Sequence, residues 1–257
     1  MFTLFDISMK HLLFFCILGL ATAASSYSAD TNLWDELFKV VVTHINRDGP
    51  DFDTAQFVSM AQEYAWSRRK EMVKVVGPFL TDKNPDKVAG TLGVFYWFRC
   101  YRPMSVNRVG TIEDFEADFK ADNAAFFADL DKDVYPHFDH FRQFKSDPVE
   151  RALALYLGVS RTPQAKRELL QIARTPSGVG AKEQALICLA WHRDPADMDT
   201  LLPFMLEDSP VARNLPYHFR NSYGDAALPY LRKALIEAKT EATRREAGKE
   251  LKLLEHK

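Results

Sequence analysis

Residues 202–213, Leu202-Pro203-Phe204-Met205-Leu206-Glu207-Asp208-Ser209-Pro210-Val211-Ala212-Arg213, read as the apolar end of one helix, an acidic turn and the capped start of the next. A serine side chain before a helix accepts one of the orphan backbone N–H groups. Proline at the first helical position loses nothing, because its missing N–H has no partner there. The same pairing of a capping side chain with proline occurs at Asn84-Pro85, Asp147-Pro148, Thr162-Pro163 and Asp194-Pro195. Asp147 with Glu150 three residues on reads as a capping box, with Asp in the cap role.

Outward from this stretch the caps are evenly spaced. Asp147, Ser177, Ser209 and Thr240 follow one another at steps of 30, 32 and 31 residues. Thr162, Asp194 and Asp225 interleave with them at steps of 32 and 31. Two interleaved series with one period predict a helix pair repeated every ~31 residues, the signature of a solenoid. The helix interiors agree. Val149–Val159 and Ala185–Trp191 are apolar nearly all round, so each needs cover on more than one side. Ala154, Ala185 and Ala247 fall at equivalent depth and permit close approach, whereas Leu215 and Pro216 break the pattern in the third unit. Helices of the second series, such as those holding Leu201–Met205 and Leu228–Leu231, are amphipathic. The last helix, Ala242–Lys257, carries Ala247, Leu251 and Leu254 as a stripe with Leu253 beside it and charge elsewhere. That pattern predicts a capping element that ends the solenoid with the chain.

Residues 202–213 and Gly224-Asp225-Ala226-Ala227-Leu228-Pro229-Tyr230-Leu231 resemble a HEAT repeat of the short class. In that family a helix carries an L-P-x-L core, an acidic turn follows, and a V-R opens the second helix. Arg213 and Arg244 fall at the matching arginine position, and Arg151 and Lys182 precede them at the same 31-residue step. The resemblance covers about 134–257. It implies an all-α fold, a right-handed α-solenoid of antiparallel helix pairs, and it speaks to architecture rather than function.

The N-terminal residues read as an address. Lys10 and His11 precede the nine-residue apolar run Leu12–Leu20, and Ala21-Thr22-Ala23 follows. This is the pattern of a secretory signal peptide, with cleavage expected after Ala23 and a secreted or periplasmic mature chain. Met9 is a second candidate start, because Met1–Ser8 carries Asp6 and no positive charge. The run is shorter than the ~20 residues a span requires, so no transmembrane span is expected in the mature chain. Cleavage removes Cys16. Cys100 and Cys188 lie in apolar helical stretches and read as small hydrophobes, with a bridge between them the alternative in an oxidising compartment. Residues 24–133 read as an N-terminal helical region with one or two degenerate repeats, and 134–257 as the repeat region. The former holds predicted helices over Asn32–Asn46 and Thr54–Val76, a pair over Met72–Leu80 and Lys87–Arg102, and a Phe-rich helix over Ile112–Leu130.

Composition excludes several classes. Of the 257 residues 47% are apolar and 26% charged, which is globular rather than disordered. A net charge of −2 supplies no general attraction to nucleic acid or anionic lipid, so no nucleic-acid partner is expected. Gly178 and Gly180 sit in a turn, but no strand precedes them and no Lys-Ser/Thr follows, so they are not a phosphate loop. No G-x-S-x-G elbow occurs, and no catalytic residue or cofactor is assigned. His192-Arg193-Asp194 joins a base to a carboxylate, but Asp194 already serves as a helix cap.

Two groups remain. His137 and His140, at i and i+3 with Asp133 upstream, have a workable metal-ligand spacing. The alternative is a polar face ahead of the core stripe Phe138, Phe141 and Phe144. Within Tyr96–Arg102, the residues Trp97, Arg99, Tyr101 and Arg102 have the composition of an interface hot spot, and Tyr64, Trp66, Arg68 and Arg69 can add to it. The alternative there puts Trp97 and Phe98 in the core and leaves Arg99 and Arg102 exposed. The functional expectation is an exported scaffold that binds a protein or peptide along the solenoid surface. A metal-binding protein or metal-dependent enzyme at His137/His140 is one alternative. A structural subunit of a cell-envelope assembly, docking its Phe-rich helix, is another.

Overall fold

In the computed structural model, which describes residues 66–100 and 121–255, most of the capping side chains reach their backbone partners. Thr162 Oγ1 accepts the Ala165 N–H at 3.0 Å, and Thr240 Oγ1 that of Thr243 at 3.1 Å. Asn84 Oδ1 accepts from Asp86 at 2.9 Å, Asp194 Oδ1 from Ala196 at 3.0 Å, and Ser209 Oγ from Val211 at 3.3 Å. All the regular elements are helical, and no strand occurs among the described residues. The predicted signal peptide, the helix at Asn32–Asn46, residues 112–120 of the Phe-rich helix, and Tyr101 and Arg102 lie outside the described residues.

The chain divides into two compact units, Met1–Phe144 and Lys145–Lys257. The first holds α1 (Arg69–Val76), α2 (Pro85–Cys100), α3 (Ala124–Val134) and α4 (Phe138–Gln143). A 3-10 turn, Gly77–Thr81, follows α1, and another, Tyr135–His137, joins α3 to α4. Phe95, Phe98, Leu130, Val134 and Phe141 form its core. The division leaves Val134–Phe144 with the first unit.

The second unit holds α5 (Asp147–Ser160), α6 (Pro163–Arg174), α7 (Val179–Trp191), α8 (Asp197–Leu206), α9 (Leu215–Tyr223), α10 (Leu228–Glu237) and α11 (Glu241–Glu255). The odd-numbered helices make one run of contacts, α5 on α7, α7 on α9 and α9 on α11, and each even-numbered helix packs against its neighbours in sequence. Ala154, Ala185 and Ala247 are fully buried, as their spacing predicts. Gly158 of α5 meets α7 so closely that an added Cβ would stand 2.7 Å from both Cβ and Sγ of Cys188.

Polar contacts repeat at the same interval. Glu183 accepts from Asn214 at 2.6 Å and Asp199 from Tyr230 at 2.9 Å, both across 31 residues. Arg220 pairs with Glu250 across 30, and Lys166 with Asp197. Positive φ recurs as well, at Arg161 (54°), Arg193 (56°) and Gly224 (55°), each one residue before a member of the second cap series. α5, α7 and α9 thus each end within two residues of a backbone position with positive φ.

Three caps depart from expectation: Asp225 lies inside a 3-10 turn, Gly224–Ala227, Gly178 rather than Ser177 takes the cap position of α7, and Asp147 turns to another helix. Asp147 and Glu150 do not form a local capping box. Asp147 already lies inside α5, behind an extended Ser146. Its Oδ1 instead accepts the N–H of Ala181 at 2.7 Å, in the first turn of α7. Glu150 accepts the N–H and hydroxyl of Ser177 at 2.7 and 2.6 Å. The N-terminus of α7 thus takes its carboxylates from the helix one period earlier, which satisfies orphan donors and places negative charge at the positive end of the helix dipole. A Cβ at Gly178 would stand 2.3 Å from Asp147 Oδ1, and one at Gly180 2.8 Å from Oδ2. The two glycines cradle a carboxylate of the chain itself.

Candidate functional site

The recognition-like stretch of α2 faces inward. Arg99 is only 8% exposed, pairs with Asp131 at 2.6 Å and donates to the Phe127 carbonyl at 2.8 Å. The expectation that it is an exposed contact residue is corrected: Asp131 of α3 satisfies the guanidinium inside the unit. Trp97 is buried against Phe98, with ring centroids 5.1 Å apart. Trp66, Phe98 and Phe126 form a triangle of rings with centroids 6.0 to 6.3 Å apart. Arg69 lies over Trp66 at 4.4 Å and over Phe126 at 5.2 Å, and burial lowers its pKa. Trp66, Arg69, Trp97 and Arg99 thus serve a cluster internal to the unit.

The candidate metal ligands do not converge. His140 Nε2 lies 3.1 Å from the Asp82 carbonyl, and the His140 ring packs edge-on to Phe144 at 4.9 Å. His137 stands in the 3-10 turn Tyr135–His137, its ring 6.3 Å from that of Phe141. Burial, then the charge of Asp129, raises the Asp133 carboxyl above its ordinary range. Among the described residues no group of three or more His, Cys, Asp or Glu side chains has the arrangement to hold a metal ion.

Around His192-Arg193-Asp194 a polar knot forms. Lys166 of α6 bridges Asp194, at 2.8 Å, and Asp197. His192 Nε2 stands 3.3 Å from the Leu157 carbonyl, and burial holds the ring below its ordinary 6.5. A neutral ring donates from that nitrogen, because a carbonyl only accepts. Burial, then the charges of Asp197 and Asp194, pushes the Tyr223 phenol above its ordinary range. Asp197 is 3% exposed, so a substrate does not reach its carboxylate in this arrangement. The knot ties α5, α6, α8 and the end of α7 together.

The open site lies between α10 and α11. A groove of about 1080 Å³ has Leu235, Gly248, Leu251 and Leu253 among its lining. Arg244, Arg245, Lys249 and Lys252 line it as well, against the acids Glu241 and Glu255. Arg244 is fixed, donating to the Ala238 carbonyl at 2.5 Å, just past the end of α10. Lys249 is held by Glu246 at 2.8 Å and Glu250 at 3.5 Å, and Glu255 by Arg232 at 2.9 Å. Arg245 and Lys252 are exposed and enter no ion pair with the described residues. Of five large apolar side chains exposed among the described residues, Leu235 (41%) and Leu253 (47%) line this groove. The stripe Ala247, Leu251 and Leu254 is buried as expected, but the outer face of α11 is not wholly polar. The sequence signal was Leu235, which continues the stripe Leu228–Leu231 along α10. Among the described residues no helix is long and apolar enough to cross a membrane. No family model matches this sequence, and neither a curated protein nor a solved structure proves similar to it.

Proposed function

We propose that the second unit is a right-handed HEAT-like α-solenoid that binds a protein or peptide along its surface, and that the chain acts as an exported scaffold. The observation that carries this reading is the recurrence of side-chain contacts at 30 or 31 residues, in Glu183–Asn214, Asp199–Tyr230 and Arg220–Glu250. Stacked repeats contact their neighbours at one period and present an extended surface. Arg151, Lys182, Arg213 and Arg244 supply one cation per period. Two of them are internally engaged, Lys182 by Glu207 at 2.5 Å and Arg244 by the end of α10. Arg151 and Arg213 are exposed. A ladder of this kind suits a segment with regularly placed acids.

Panning a display library of random peptides, roughly 16 residues long, against the full chain is expected to enrich acidic sequences. Their affinity should fall about tenfold or more in the double variant Arg151→Glu/Arg213→Glu. An unenriched library, or binders indifferent to both substitutions, overturns the reading. Export is tested by sequencing the N-terminus of the mature protein, expected at Ala24.

A further inference from the structure

We propose that the groove between α10 and α11 seats an acidic amphipathic helix of a partner protein. This deepens the scaffold reading and rests on it. The groove, about 1080 Å³, lies just above the range for small-molecule pockets and is open along one side. That form suits an element laid lengthwise.

The stack supplies the reason for a helix. α5, α7 and α9 each pack against the odd-numbered helix one period on, and α8 packs against α10. A helix laid beside α11 would repeat the contact that α5, α7 and α9 each make with the odd-numbered helix one period on. Its apolar stripe would meet Leu235 and Leu253, with Gly248 opening the floor; a Cβ at Gly248 would come within 3.3 Å of Leu235 Cδ1. Helix-in-groove recognition reads such stripes through anchors at i, i+3 or i+4, and i+7.

Charge selects the partner. Arg245 and Lys252 stand seven residues apart on α11, which is about 10 Å along the helix. Both are exposed cations on the groove wall without an ion-pair partner among the described residues. Acidic side chains two turns apart on the incoming helix complement them. A second copy of this chain fits less well. Two-fold pairing sets one patch against its copy, and with four cations to two acids along the groove that opposes an excess of like charge.

The probe is a labelled peptide of roughly 16 residues, with leucines on one helical face and glutamates flanking them. Its binding to the full chain is followed by fluorescence anisotropy. It is expected to bind, whereas a lysine counterpart does not. Affinity should fall about tenfold or more in Leu253→Asp and in Arg245→Glu/Lys252→Glu. All three residues are exposed, so the fold is retained, and circular dichroism checks that it is. Binding unchanged by these variants but lost in Arg151→Glu/Arg213→Glu overturns the groove and leaves the scaffold reading standing. Loss of peptide binding in neither set overturns both. Concentration-dependent dimerisation abolished by Leu253→Asp replaces the partner helix with a second copy. Binding to phosphatidylserine vesicles without peptide binding replaces it with a membrane surface.

Discussion

The core of the first unit holds a cluster of large rings with Arg69 and Arg99 set among them, whereas that of the second is mainly leucine and alanine, with close approaches at small residues and contacts that recur at one period. Around α2 and α3, Trp66, Phe98 and Phe126 interlock, and Arg69 and Arg99 sit among rings with their charge answered locally. Around α5 and α7, Ala154, Ala185 and Gly158 bring helix backbones together, and polar side chains reach one helix further along the stack. Large rings tolerate irregular geometry, because each fills much space through a few edge-to-face contacts. Small residues demand regularity, because close approach works only where both helices keep their register. The difference explains why a period is visible in one unit and not in the other.

The largest effect is expected from emptying the ring cluster. Phe98 is fully buried between Trp66, Trp97 and Phe126. Phe98→Ala should cost about 3–5 kcal/mol, the loss typical of a large cavity in a packed core. Chemical denaturation followed by tryptophan fluorescence measures it, since Trp66 and Trp97 flank the site. A loss below about 1 kcal/mol would mean that the rings pack loosely and the contrast between the units is false.

A smaller cost, about 1–3 kcal/mol, is expected when one methyl group is added to the second unit. In Gly158→Ala the new carbon would sit 2.7 Å from both Cβ and Sγ of Cys188, so α5 and α7 must part. The double variant Gly158→Ala/Cys188→Gly removes both opposing atoms and should recover much of the loss. Equal stability of the single and double variants would show that the helices separate freely and that register is not what holds them.

Much of this unit was legible because its signals are local. A cap and its proline are adjacent, and a small residue marks a close approach wherever it recurs. The misreadings share one cause: the deciding partner is distant in sequence. Asp147 was read as a local cap because nothing nearby shows that Ala181, 34 residues away, would take its carboxylate. Arg99 was read as exposed because Asp131, which neutralises it, belongs to another helix. Leu235 and Leu253 look like any core leucine. Their spacing in the sequence does not encode the 41% and 47% exposure they keep.

A graded effect should come from pH. Burial holds His192 and His218 below their ordinary 6.5, and both lie in the second unit. Asp197 opposes the shift at His192, Arg161 and Lys166 add to it, and Glu183 opposes it at His218. With folded values depressed, the unfolded chain binds protons first as pH falls. Stability is therefore full above pH 6.5 and declines below it, until the folded rings also protonate. Midpoints of urea denaturation measured across that range should fall for the native chain, and less steeply for His192→Gln/His218→Gln. Parallel profiles would assign the decline to carboxylates instead.

The smallest effect concerns how the odd-numbered helices close. Arg161 follows α5 with φ 54° and ψ 23°, the left-handed conformation in which a side chain costs about 1–2 kcal/mol. One turn later in the stack, Arg193 also takes positive φ, and Gly224 follows α9 with φ 55° and ψ −132°, a region suited to glycine. Helices commonly end on glycine for this reason. Glycine at position 161 relieves the strain but increases the freedom of the unfolded chain, which opposes the gain by about 0.5–1 kcal/mol. Arg161→Gly should therefore stabilise the second unit by roughly 0.5 kcal/mol, read as a small rise in melting temperature. A clear loss would mean that the arginine side chain itself holds the end of α5, and that the shared sign of φ at positions 161, 193 and 224 reflects three separate local solutions rather than one repeated closure.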